Sequence, residues 1–217
     1  MGHRLLTVVL GTALVASLVL LLPGVGALRL PGVQRGYEPA QPIAYSHRLH
    51  AGELEIPCLY CHFGAETSRH AGIPPASVCM NCHSFVTAPL GAVRAEDEAA
   101  RQEGREPRRV VSPELAKLYA ALGLGEDLKP DPARQREPIA WVKVHNVPDF
   151  VSFDHRPHVA AQVACQTCHG PVESMERVRQ VADLTMGWCI ACHRDPQGAG
   201  VAGEPAPAST DCAACHY

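Results

Sequence analysis

Five Cys-x-x-Cys-His motifs that consume all ten cysteines, 19 prolines and 18 glycines set against 5% aromatic residues, and one uncharged run near the N-terminus together predict the fold class. It is the small-haem-protein class: mostly irregular, with short helices packed on five c-type haems, arranged as two duplicated dihaem modules plus a C-terminal haem, behind one N-terminal transmembrane helix. With so few aromatics and so many chain-breaking residues the polypeptide has a thin core of its own, and the macrocycles must supply the rest. The balance of 19 basic against 22 acidic residues argues against nucleic acid or a broad anionic surface as partner.

The motifs are Cys58-Cys61-His62, Cys79-Cys82-His83, Cys165-Cys168-His169, Cys189-Cys192-His193 and Cys212-Cys215-His216. Two cysteines at this spacing add across the two vinyl groups of one haem, and the histidine that follows can bind its iron. Zinc sites also use paired cysteines, but they usually close a tetrahedron from two pairs and need no histidine after each second cysteine. No cysteine remains for a disulfide, a free nucleophile or a separate cluster. The cofactors expected are therefore five covalently bound haem c.

At the N-terminus, His3 and Arg4 precede the uncharged run 5–22, with Pro23-Gly24 expected to end it. At eighteen residues the run exceeds the usual signal-peptide core of about 7 to 15 and reaches the roughly 17 residues that a spanning helix needs. A retained anchor over 1–28 is favoured; cleavage at Val25-Gly26-Ala27 is the alternative. Either reading exports the remainder, and the positive end stays in the cytoplasm. This gives a single-pass protein of the cytoplasmic (inner) membrane with its haem region on the periplasmic side.

Residues 29–42 form a Pro/Gly-rich linker. The first dihaem module, 43–84, opens with Tyr45-Ser46-His47-Arg48-Leu49-His50 and closes with two attachment motifs. The second, 148–194, opens with Phe153-Asp154-His155-Arg156-Pro157-His158 and closes the same way. An aromatic residue, a His-x-x-His and two attachment motifs in the same order twice are the mark of an internal duplication.

Between the modules lies a charged insert with a ligand-bearing strand, 85–147. Residues 84–138 hold 19 of the 41 charged residues and no cysteine. Ser112 suits an N-cap, Pro113 the first helical position and Gly123 the stop, with Leu115, Leu118 and Leu122 on one face. The short helix is either part of a solvated linker or a docking arm whose leucine face packs on another subunit. Residues 195–217 form a Gly/Pro loop and the fifth haem site.

Twelve histidines are present; five follow attachment cysteines and His3 lies at the membrane end. Six remain for at most five distal positions. The expected ligands are His47, His50, His155 and His158, from the repeated pairs, and His145, which the alternation Val142-Lys143-Val144-His145 puts on a partly buried strand. His70, in a polar stretch, is the spare. Met175 and Met186 are alternatives, since thioether ligation raises a haem's potential; more often such side chains pack on a porphyrin face.

Tyr45-Ser46-His47 to His50, Ala71-Gly72-Ile73-Pro74 before Cys79, Trp141-Val142-Lys143-Val144-His145 and Leu184-Thr185-Met186-Gly187-Trp188 before Cys189 resemble the pentahaem cytochrome c subunit of alternative complex III. The His-x-x-His followed by Cys-x-x-Cys-His also resembles small cytochromes of the c3 and c7 type. The resemblance implies one membrane anchor, bis-histidine haems, and assembly with integral membrane quinol-binding subunits and an iron-sulfur subunit. It implies electron delivery to a periplasmic cytochrome c or an oxidase, with no catalytic site of the chain's own. A multihaem reductase of the nitrite or hydroxylamine type is the alternative, and would need one haem with an open face. So is a self-sufficient membrane quinol dehydrogenase, for which the single apolar run offers no pocket.

Overall fold

The computed structural model describes residues 2–27, 34–195 and 208–217. Residues 28–33 at the start of the linker, and 196–207 in the Gly/Pro loop before the last motif, lie outside the described residues. What is described is short helices and irregular chain, with no strand and two isolated bridges.

Helix α1 (Gly2–Ala27) has exposed apolar side chains from Leu5 to Leu20. It is long and apolar enough to cross a membrane, and a signal sequence would pass the same test. The expected stop at Pro23-Gly24 does not occur: the helix continues to Ala27. A proline removes one helical hydrogen bond, which kinks a helix without always ending it.

The first module is a π-helical turn (Arg48–Glu53) followed by α2 (Cys58–Cys61), α3 (Gly64–Thr67) and α4 (Ala76–His83). The insert adds α5 (Leu90–Glu103), closed by Gly104 at φ 65°, and α6 (Pro113–Ala121). The cap read from sequence is present, with Ser112 Oγ accepting from Leu115 N at 3.4 Å. Leu118 is 4% exposed. It packs with Tyr119 and Leu124 in a cluster joined by Leu115 and Leu122, and by Ile43, Cys79 and Met80 of the first module. Tyr119 donates its hydroxyl to the His83 carbonyl at 2.6 Å, and Glu114 accepts from Ala44 N at 2.7 Å. The leucine face is thus covered by the chain itself. This overturns both sequence readings of the helix: it is neither a solvated linker nor a leucine-faced docking arm.

The predicted strand before His145 is also corrected. Residues 141–144 form no strand and have no regular secondary structure. Gln41 replaces the neighbour: its side-chain oxygen accepts from Val142 N and its amide donates to Val142 O, both at 2.9 Å. Val142 is thereby satisfied without a ladder.

The second module comprises α7 (His155–Ala160), α8 (Cys165–His169), a 3-10 turn (Val172–Ser174) and α9 (Met186–Arg194). Asp154 caps α7 through Arg156 N at 2.9 Å, and Thr185 caps α9 through Trp188 N at 3.3 Å. Helix α10 (Cys212–Cys215) carries the last motif. It docks on the entrance to this module, where Ser152 N donates to Cys215 O at 2.7 Å and Val151 bridges His216.

The modules interlock. Arg48 N donates to Met175 O at 2.9 Å, and both Ser46 and Arg48 reach Glu176. Gly52 meets the second module so closely that an added Cβ would lie 2.2 Å from Glu173 O. The chain entering the first module is clasped to the second as well, with Gly36 N on Gln180 O at 2.7 Å and Gln180 N on Tyr37 O at 3.0 Å.

Candidate haem-binding sites

All five cysteine pairs lie within α-helical turns. A spacing of three on a helix brings two side chains to one face. The ten thiols are unpaired, and among the described residues no three His, Cys, Asp or Glu side chains converge into a closed metal site. The donor set therefore does not fit zinc or a bare cluster.

Four upstream histidines face four attachment-site histidines. The ring centres are 6.5 Å apart for His47 and His62, 6.1 Å for His50 and His83, 6.4 Å for His155 and His169, and 6.0 Å for His158 and His193. Two imidazoles sharing one metal atom through bonds of about 2 Å, with each ring centre about 1 Å behind its nitrogen, have centres roughly 6 Å apart. Each gap fits one iron atom, and the residues present fit c-type haem.

The other ring nitrogens are committed to the backbone. Nδ1 lies 2.8 Å from Ser46 O in His50, 2.7 Å from Gly72 O in His62 and 2.8 Å from Val86 O in His83. It lies 2.8 Å from Arg69 O in His155, 2.7 Å from Asp154 O in His158 and 2.6 Å from Ser209 O in His193. Since a carbonyl only accepts, each Nδ1 carries the proton and leaves Nε2 with a free lone pair, the tautomer a metal ligand needs. Burial, followed by neighbouring histidines, lowers His47 and His169 to about 4, so both are neutral at pH 7.

The duplication is visible in side-chain geometry. Tyr45 lies edge-on to His47 at 4.8 Å and 83°, and Phe153 lies edge-on to His155 at 4.8 Å and 88°. The same aromatics lie 4.4 Å and 4.7 Å from His50 and His158.

The fifth motif differs. His216 Nδ1 approaches Phe150 O at 3.3 Å and its ring stacks on Phe150 at 5.8 Å. His145 is half-buried, with its Nε2 buried and lacking a hydrogen-bond partner among the described residues, and its ring stands nearly perpendicular to His169 at 4.3 Å. That separation is too short for a shared iron. Burial lowers its pKa. His70 is exposed. Met175 is 6% exposed at the junction of the modules and Met186 is 65% exposed.

The attachment sites are neighbours in one order. Burial raises the thiols of Cys61 and Cys79, with each other's motif adding to the shift. Burial also raises Cys165, with Cys58 of the other module adding to the shift. Cys168 is pushed up to about 11 by burial and then by Cys192 and Cys189, and Cys189 senses Cys215 after its own burial. Numbered along the chain, the sites run second, first, third, fourth, fifth.

Sequence reasoning missed the backbone acceptors Arg69, Gly72, Val86 and Ser209, for which the sequence carries no signal because every residue has a carbonyl. It also missed Gln41.

Cysteine pairs on single turns, with histidines facing across iron-sized gaps, define a multihaem c-type cytochrome. Residues 151–217 match the family model for cytochrome c7 and related cytochrome c, so the second module and C-terminal site are cytochrome c7-like and take covalently bound haem c. A relative is the protein named menaquinone reductase, multiheme cytochrome c subunit, from Nitratidesulfovibrio vulgaris (strain Hildenborough). It is 24% identical over 196 residues, with 81% of this chain and 76% of the relative covered.

Proposed function

We propose that the chain is the electron-relay subunit of a quinone-linked respiratory complex, holding five haem c on the periplasmic side of the cytoplasmic membrane. The observation that supports this is the four facing histidine pairs, which would close both faces of four bound irons to substrate. His47 and His62, His50 and His83, His155 and His169, and His158 and His193 would hold the first four haems. His216 would hold the fifth, with His145 as its distal ligand. Haem supplies one-electron chemistry when bound; the chain's residues would orient it, and burial keeps the His47 and His169 imidazoles neutral.

The name of the relative supports a quinone-linked setting. The finer reading is the pentahaem subunit of an alternative complex III, with α1 as anchor, integral membrane quinol-binding subunits and an iron-sulfur subunit as electron donors, and a periplasmic cytochrome c or oxidase as acceptor. The relative's name favours a second reading in which electrons pass toward menaquinone. A third, a reductase with one open haem, draws on the fifth site, where Phe150 rather than a second histidine lies against His216.

Gentle purification from membranes tests the set. A relay gives five haem increments by intact mass, co-purifying quinone-binding subunits and a reduced spectrum insensitive to carbon monoxide. A carbon monoxide shift in one haem would replace the relay by the reductase reading. Reduction of the complex by a menaquinol analogue, as against oxidation of the reduced complex by menaquinone, fixes the direction.

A further inference from the structure

We infer that Arg69 is a positioning residue through which the first module sets the orientation and donor strength of His155 in the second. The inference rests on the proposal that His155 closes the third haem. The Arg69 carbonyl accepts twice from this one residue, from His155 N at 3.2 Å and from Nδ1 at 2.8 Å. Its side chain grips the segment immediately before it, with Nε donating to Phe153 O at 3.4 Å and Nη2 to Ser152 Oγ at 3.3 Å. A single residue of the loop after α3 therefore fixes both the backbone and the ring of a histidine 86 residues away.

The duplication provides an internal control. His47 occupies the equivalent place in the first module, with the same edge-on aromatic at the same distance. Its Nδ1, however, is buried and has no partner among the described residues. Two otherwise matched imidazoles thus differ at the nitrogen remote from the iron. A ring whose Nδ1–H is held by a carbonyl is the more basic ligand and is fixed in rotation. Stronger donation favours ferric iron, so the third site should have a lower potential than the first, and the difference should depend on the grip of Arg69.

The test uses the full-length membrane protein and the variants Arg69→Lys, Arg69→Ala and Ser152→Ala, followed by potentiometric titration with electron paramagnetic resonance. Arg69→Lys keeps the charge but loses the two-pronged grip. It should raise the potential of one low-spin haem and shift its resonance, leaving the other four at wild-type values. Arg69→Ala should do so more strongly, and Ser152→Ala should give a smaller shift of the same signal. Wild-type potentials and spectra in all three would overturn the inference. So would equal movement of every haem, or a fall in potential confined to Arg69→Ala, which would mark a charge effect. Intact mass of the wild type separates the two layers. Fewer than five haems would remove the haem reading and this inference together, whereas five haems with unmoved signals would remove the role of Arg69 alone.

Discussion

His145 and His70 meet different environments: His145 is half-buried, its buried Nε2 lacking a partner among the described residues, and His70 is exposed. A buried imidazole nitrogen without a hydrogen bond costs free energy unless something binds it. His145→Ala should therefore convert one haem to a high-spin form, while His70→Ala leaves every haem low-spin. Electron paramagnetic resonance on the two variants checks this, and a new high-spin signal from His70→Ala would exchange their roles. The four other upstream histidines could be ranked from sequence because their determinant is local. Each His-x-x-His ends eight or seven residues before an attachment motif and repeats with a leading aromatic, Tyr45 or Phe153. The surroundings of His145 depend on contacts with residues far along the chain, and no spacing encodes them.

At the scale of the element, Leu118 and its neighbours in α6 hold the insert to the first module. Leu118→Ala should cost about 2 to 5 kcal/mol, the usual range for emptying a buried leucine site. The loss should appear in thermal unfolding and not as release of a partner subunit, because the leucine face is already covered. The amphipathic stripe put three leucines on one face, of which Leu118 is buried and Leu115 and Leu122 are partly buried, but a stripe does not say against what it packs.

Helix α5 offers a pH test. The Arg105 side chain, followed by the backbone N–H of Arg108, holds Glu96 well below its ordinary 4.5, to about 2. A carboxylate with a depressed folded pKa binds fewer protons than in the unfolded chain. Its contribution is therefore complete above the unfolded value and is lost as pH falls through the folded one. Glu96→Gln should unfold at a lower temperature than wild type at pH 7, with the gap closing between about pH 4.5 and about pH 2. A gap that stays constant down to pH 2 would refute the role of the pair.

For the molecule as a whole, the junction of the two modules joins them into one unit, through Arg48 N on Met175 O and Arg48 on Glu176. Duplication was legible in the sequence; the face along which the copies meet was not, because it is built largely from backbone atoms and one glycine. The clasp between residues 36–37 and Gln180 bears on how such a molecule is made. Segments synthesised early cannot close on a residue that has not yet been made. At about 5 to 20 residues per second, roughly seven to thirty seconds separate the emergence of Gly36 from that of Gln180. Throughout that interval Cys58, Cys61, Cys79 and Cys82 remain uncovered by the other module. The attachment machinery thus has a timed window on the first two sites, and synonymous changes in translation speed between them would alter haem loading without altering a residue.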